Sequence, residues 1–250
     1  MNNSASARVD QYWSHRFGLQ PHLLYEPGVW VVPHARPVKN DDHFAFVLVR
    51  GATCVLSVGA VFVGAMRERA GRWVPGSLLS DTNLSQLFDR PIHHTVGPAY
   101  QGYAEREHVS PSSSVEVRKI DREEQQVLRR LAAACEPIAW EHSGVERTDS
   151  ALFGYFIGDE IVAVAHYSMW GDHAASIGVL THPSHRNRGY GKVVVSAAME
   201  DAFAHGHFVL YQTLVANSSS VALATALGCQ DYARTMAVHL VDDTRHFNRT

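Results

Sequence analysis

The stretch Thr181-His182-Pro183-Ser184-His185-Arg186-Asn187-Arg188-Gly189-Tyr190-Gly191-Lys192 decides how this chain is read. It follows an apolar run, Ala174 to Thr181, whose pattern predicts a strand, and it opens onto a run from Gly189 to about His205 that predicts a helix closed by Gly206. A helix entered from such a loop presents first-turn N–H groups with no intrahelical partner and a partial positive charge, so a pyrophosphate can bind there through main-chain contacts. Gly189 and Gly191 remove the Cβ atoms that would hold a phosphate away, and Arg186, Arg188 and Lys192 supply cationic charge. The spacing is neither Gly-x-Gly-x-x-Gly nor a Walker loop ending in Gly-Lys-Ser/Thr. A solvated basic loop punctuated by glycine is the plain alternative.

Outward from this loop the order of elements is regular. Before it, Ala151 to Ile157, a turn at Gly158-Asp159, Ile161 to Met169, a turn at Gly171-Asp172 and the strand to Thr181 predict a three-strand antiparallel meander. After it come a strand over Phe208 to Leu214, a short helix from about Ser218 to Leu227 closed by Gly228, and a last strand over Asp231 to Leu240. Further back, Val115 to Ile120 predicts a strand and Asp121 to Ala134 a helix with an acidic first turn and Arg129-Arg130 nearer its end. The polar segment His108 to Ser114 predicts a linker, so the chain is expected to hold an N-terminal α/β domain over 1–107 and a second domain over 115–250. In the first half, Val9 to Phe17 predicts a short helix, and Val29 to Val32, Phe44 to Val49 and Thr53 to Val58 predict strands. No motif there points to a chemistry.

Composition bounds the function. The 250 residues are 46% apolar and 19% charged, the make-up of a folded globular protein. A net charge of −3 gives no general field to gather nucleic acid or anionic lipid, so neither is an expected partner and any anion site must be local. Three widely spaced cysteines, Cys54, Cys135 and Cys229, fit neither a disulfide framework nor a zinc site and predict reduced thiols in a cytoplasmic protein. The N-terminus carries no apolar run of a secretory signal, and Gly51 to Met66 is too short and too rich in glycine for a membrane span.

With these elements in place the chain resembles the GNAT superfamily of acetyl-CoA-dependent N-acyltransferases. The family's pyrophosphate motif, Arg/Gln-x-x-Gly-x-Gly/Ala, matches Arg186 to Gly191, Thr181-His182-Pro183 stands where the family commonly shows Val-x-Pro, and Asn217 to Cys229 is similar to its Asn-led short helix ending in Leu-Gly-Phe. The resemblance covers about residues 115 to 240. It implies an α/β (α+β) fold with a mixed, mostly antiparallel sheet flanked by helices. It implies acetyl-CoA as co-substrate, a small-molecule or peptide amine as acceptor, and no metal. The residues expected to hold the cofactor are Val179, Leu180 and Thr181 through their main chain, Arg186, Asn187, Arg188, Gly189, Tyr190, Gly191 and Lys192 at the phosphates, and Asn217 and Ser220 along the pantetheine arm. Residues 1–107 are expected to be a degenerate copy of the fold or a cap over the acceptor site.

The family's catalytic groups are missing from their usual places. Some members carry a general-base Glu on the strand before the phosphate loop, and Ala175 stands there; many carry an acidic Tyr on the short helix, and Ala224 stands there. Since a primary amine is almost wholly protonated at neutral pH, a base from elsewhere is useful. His173, His166, Tyr167 and Tyr232 could each face the acceptor, with His173 the best single candidate for the base and Tyr232 the second catalytic candidate. The expected activity is direct N-acetyl transfer to a primary amine; the alternative, motivated by Ala175 and Ala224, is a non-catalytic acyl-CoA sensor.

Overall fold

A computed structural model describes residues 3–35, 43–109, 112–121, 124–147 and 151–241. The predicted linker and the predicted start of the helix at Asp121 lie partly outside these residues. The chain divides into two compact units: Met1–Gln101 with Thr213–Asn217 and Asp231–Thr250, and Gly102–Gln212 with Ser218–Gln230.

The first unit has helices α1 (Asn3–Phe17), α2 (Val63–Ala70) and α3 (Asp81–Phe88) and strands β1 (Gly28–Pro33), β2 (Phe44–Arg50), β3 (Thr53–Val58) and most of β4 (Ile92–Ala104), ordered β1-β3-β2-β10-β4 with the chain's last strand, β10 (Gln230–Leu240). β1 runs parallel to β3, and β2 is antiparallel to both β3 and β10, with Arg234 opposite Val49 and Val238 opposite Ala45. Every residue of β3 is buried, which explains its near-continuous apolar sequence. Val47, Leu56, Leu84, Leu87 and Val238 meet in its core.

The second unit builds strands β5 (Val117–Ile120), β6 (Leu152–Ile157), β7 (Glu160–Trp170), β8 (Ala174–Thr181) and β9 (Phe208–Leu214) and helices α4 (Gln125–Ala134), α5 (Pro137–Ser143), α6 (Tyr190–Ala204) and α7 (Ser218–Ala226). Its strands follow the order β9-β8-β7-β6-β5. The meander β6-β7-β8 is antiparallel as expected, while β8 and β9 are parallel, joined through the crossover helix α6. Leu131 of α4, Val145, Val164 and Leu180 share one core, with Trp140 of α5 packed against it. Strand alternation turns Val179 and Thr181 to the other face, where a Cβ at Gly191 of α6 would stand 4.0 Å and 3.2 Å from their side chains. Val194, Val195, Ala198, Met199 and Ala202 bury α6 against that face. Among the described residues no helix is long and apolar enough to cross a membrane.

Candidate functional site

The second unit contains a fork. β8 and β9 pair only at Ala174 with Phe208, Ala175 with Val209 and Ser176 with Leu210. Both strands continue past that point, β8 to Thr181 and β9 through Tyr211 and Gln212, without a further registered pair. The edge of β8 facing the fork is defined by its other edge. Thr181 lies opposite Ala163 and Leu180 opposite Val164, and the next amide, His182 N–H, donates to Val162 O at 2.9 Å. In an antiparallel ladder bonded residues alternate, so Gly178 and Leu180 spend their main-chain groups on β7, while those of Ile177, Val179 and Thr181 face the fork. The main chain of Leu180, expected at the cofactor, thus faces β7, while that of Val179 and Thr181, and of Ile177 beside them, faces the fork.

At the open end of the fork stands the first turn of α6. Gly189 caps it with φ +85°, a left-handed conformation that glycine adopts freely, and no side chain caps the helix. The first capping bonds, from Lys192 and Val193 to Gly189 O at 3.0 and 3.3 Å, leave the amides of Tyr190 and Gly191 without a helical carbonyl to bond. A Cβ on Gly189 would point into open space, and Arg186, Asn187 and Arg188 beside it are exposed. Arg186 Nε donates to Thr181 O at 3.4 Å, tying the loop to the end of β8. His182 Nδ1 accepts from the Ser184 amide, and Tyr190 lies against Tyr155 with ring centroids 4.4 Å apart. A helix N-terminus without a side-chain cap, led by a glycine whose Cβ position is open and flanked by exposed arginines, is chemically suited to an anion.

On the face under α5, His166 is buried and its Nε2–H donates to Ser143 O at 2.8 Å. It lies opposite Gly178, where a Cβ would come within 2.3 Å of both His166 Nε2 and Ser143 O. Burial, the largest influence, pushes the imidazole pKa down against the opposing pull of the Ser143 carbonyl, so the ring is neutral at neutral pH. This clasp of α5 onto β8 was legible only as a glycine inside a strand, a sign of close backbone approach. On the opposite face, Tyr211 and Ser220 place their hydroxyl oxygens 3.1 Å apart, and burial pushes the Tyr211 phenol up to about 12.

Other sequence candidates lie elsewhere. His173 is exposed on the turn before β8, at the paired end of the strand, and its carbonyl accepts from Phe208 N–H at 3.0 Å. Ala175 and Ala224 are fully buried. Asn217 is exposed in a segment of the first unit, with its amide bonded to Leu214 O at 2.9 Å. Tyr232 is also in the first unit, buried, and its hydroxyl donates to Asp10 Oδ1 at 2.6 Å. Burial and that bond push its phenol far above the usual range, so it stays protonated. Among the described residues no cluster of three His, Cys, Asp or Glu side chains could hold a metal ion.

Fork, crossover helix and a glycine-led helix N-terminus flanked by arginines together define an α/β domain with a candidate anion site. Residues 116–229 match the Acetyltransferase (GNAT) family model. Against curated proteins nothing matches. Among solved structures, a Drosophila protein superposes with a TM-score of 0.51 at 12% identity over 96% of this chain and 97% of its own, a likeness of fold over both units. A GCN5-related N-acetyltransferase-like protein from Streptococcus suis gives a TM-score of 0.49 at 14% identity, covering 94% and 99%. An acetyltransferase of the GNAT family from Colwellia psychrerythraea gives 0.49 at 17% identity, covering 64% of this chain and 62% of that one. The present chain thus spans under two thirds of the length of the Colwellia protein. The match over residues 116–229 supports acetyl transfer in general terms.

Proposed function

We propose that the chain is an N-acetyltransferase that moves an acetyl group from acetyl-CoA to a primary amine by direct attack. The observation that carries the reading is the fork between β8 and β9, which leads from a free strand edge to the uncapped N-terminus of α6. When bound, acetyl-CoA supplies an activated acetyl group. The chain's own part is to hold it: Tyr190 and Gly191 amides with Arg186, Asn187, Arg188 and Lys192 take the phosphates, and the Val179 and Thr181 main chain takes the pantetheine amides as an added strand would. Ser220, in the first turn of α7, is the proposed pantetheine contact on the far side. An amide on the β8 edge, at Val179 or Ile177, would donate to the thioester oxygen as it gains charge.

The base is assigned differently from the sequence expectation. His173 is four residues from Ile177, roughly 13 Å along a strand at ~3.3 Å per residue. A general base works within about 3 Å or through one water. We therefore propose that the acceptor loses its proton to solvent. Tyr232, with its proton held by Asp10, is proposed as a structural anchor.

Full burial of Ala175 and Ala224 supports a second reading, an acyl-CoA sensor that binds without turnover. The test is thiol release from acetyl-CoA across a panel of primary amines. Steady release with one amine establishes the transferase. Binding of acetyl-CoA with no release from any amine establishes the sensor, and absence of binding removes both.

A further inference from the structure

Apart from the fork, the second unit has a cavity of about 450 Å³ lined by α6 and the two strands at the edge of the sheet, within the ~300–1,000 Å³ of small-molecule sites. Every residue of its lining belongs to that unit. Val117 of β5, Phe153 of β6 and Val193 and Ala197 of α6 give it an apolar wall, with the segment 112–114 beside them. β6 is two strands from β8, about 10 Å at ~4.8 Å per strand, so the cavity and the fork are separate places. The polar part of the lining comes from the same helix. Glu200 and Asp201 both line the cavity, and so does Ser196, which is 1% exposed. The Ser196 hydroxyl accepts from Ser112 N–H at 3.3 Å, and among the described residues its own proton has no acceptor. A buried hydroxyl with an unused donor on a cavity wall is suited to an acceptor atom on a ligand.

Lys119 shows what chemistry fits beside the carboxylates. Its Nζ stands 2.7 Å from Asp201 Oδ1 and 5.5 Å from the Phe153 ring centre, so an ammonium already rests between two residues of the lining. Asp201 also accepts from Tyr167 O–H at 3.0 Å. Burial by itself pushes the Asp201 carboxyl up, but the bonds from Lys119 and Tyr167 outweigh it and hold the pKa down, so the group is ionised at neutral pH. Glu200 is paired with Arg106 Nη1 at 2.6 Å. The Lys119 and Arg106 side chains are 59% and 63% exposed, and ion pairs that exposed are weak, so a ligand cation can take their place. A ligand that also buries an apolar body against Val117 and Val193 gains what the two side chains lack. We propose that this cavity is a second binding site, for a small primary amine. Its ammonium meets Glu200 and Asp201, its apolar body lies against Phe153 and Ala197, and an oxygen at its other end accepts from Ser196. The amine binds without acetyl-CoA, because no residue of the lining belongs to the fork or to the phosphate loop.

The experiment is calorimetry on the full chain at neutral pH with no acetyl-CoA present. The probes are tyramine and tyrosol, the second carrying a hydroxyl in place of the ammonium. The expected result is tyramine binding with tyrosol at least ~10-fold weaker, since a hydrogen bond to an ionised group is about twice as strong as a neutral one. Ala197→Leu puts a larger side chain into the cavity and should weaken tyramine at least ~10-fold, with its unfolding midpoint close to the parent's. Glu200→Gln keeps the shape and removes a charge, so tyramine weakens by ~3-fold or more while tyrosol is unchanged. A parent that binds no tyramine overturns the inference, as does equal affinity for the two probes. Tyramine binding that Ala197→Leu leaves intact places the amine elsewhere on the chain, the fork included, and overturns it as well. If Ala197→Leu fails to fold, Glu200→Gln decides: an unchanged affinity for tyramine refutes the site.

Discussion

The imidazole of His166 rests directly over the backbone of Gly178, with its Nε2 2.3 Å from where a Cβ on that glycine would stand and Ser143 O at the same distance. One residue without a side chain thus lets α5 close on β8, the strand that lines the fork. Gly178→Ala should lower stability by about 1–3 kcal/mol, the usual cost of overpacking. A denaturant midpoint equal to the parent's would show that the contact gives way freely.

His166 also sets a pH dependence. Its folded pKa lies below the unfolded value of ~6.5, so below that pH the unfolded chain binds the proton more readily. The His166 contribution to stability is complete above pH ~6.5 and is lost as the pH falls from there through the lower folded value. His166→Gln removes the titration, so its melting temperature should approach the parent's as the pH falls from 7 to 5. A gap between the two that is the same at both values would exclude His166 as the titrating group.

In the first unit, Asp10 joins α1 to two strands. It accepts from Arg50 Nη1 at 2.8 Å, from Tyr232 at 2.6 Å and from Tyr25, while the Arg50 guanidinium lies 4.1 Å from the Tyr25 ring centre and 4.2 Å from that of Tyr232. Only 21% of the Arg50 side chain and 10% of Asp10 are exposed. Asp10→Ala leaves a largely buried cation without its carboxylate and should cost about 2–4 kcal/mol, somewhat less than for a fully buried pair. Equilibrium unfolding measures it, and a loss below half a kilocalorie would make the cluster a surface ion pair in energetic terms.

The phosphate loop makes a separate demand. Gly189 has φ +85°, so a β-branched residue there would strain the backbone and confuse a fold defect with a binding defect. Asparagine tolerates the left-handed region. Gly189→Asn should keep the fold while placing an amide in the space of the pyrophosphate, weakening acetyl-CoA at least ~10-fold, or about 1.4 kcal/mol. Calorimetry giving an unchanged Kd would remove the loop from the cofactor site.

The sequence revealed most where local rules and long-range packing agree. Glycine-punctuated turns and alternating strands placed the meander and the phosphate loop to within a residue or two, because turn chemistry and hydrophobic period are written locally. Seven-residue α5 was not anticipated: it starts at Pro137 and ends at Gly144, both of which read as breaks in the chain rather than as the two ends of a helix. α2 and α3 went unseen because eight residues each hold too little period, and the 13-residue β4 because Gly97 and Pro98 interrupt it. β10 follows the phosphate-loop half in sequence yet bonds to β2, a pairing that no local pattern encodes. Beside the fork, the residues that close α5 onto β8, His166, Ser143 and Gly178, are ordinary in sequence. Their meaning comes from strand register, which decides which side chains share a face and which amides are left for a ligand.

Register also decides the case of His173. The residue looked suited to base catalysis because an unperturbed imidazole accepts a proton near neutrality and because it enters the central strand. Its carbonyl is bonded to Phe208 N–H at the end where β8 and β9 are paired, so the three registered pairs from Ala174 to Ser176 stand between it and the fork. Loss of a true general base lowers turnover by ~10²–10⁴. His173→Ala should instead stay within ~3-fold of the parent at every pH from 6 to 9, with kcat/KM rising as the acceptor amine itself loses its proton. Acceptors of lower amine pKa should shift that rise to lower pH in step with their own ionisation. A hundredfold loss in His173→Ala, with acetyl-CoA affinity retained, would return the histidine to the mechanism and require a water chain from the turn to the fork.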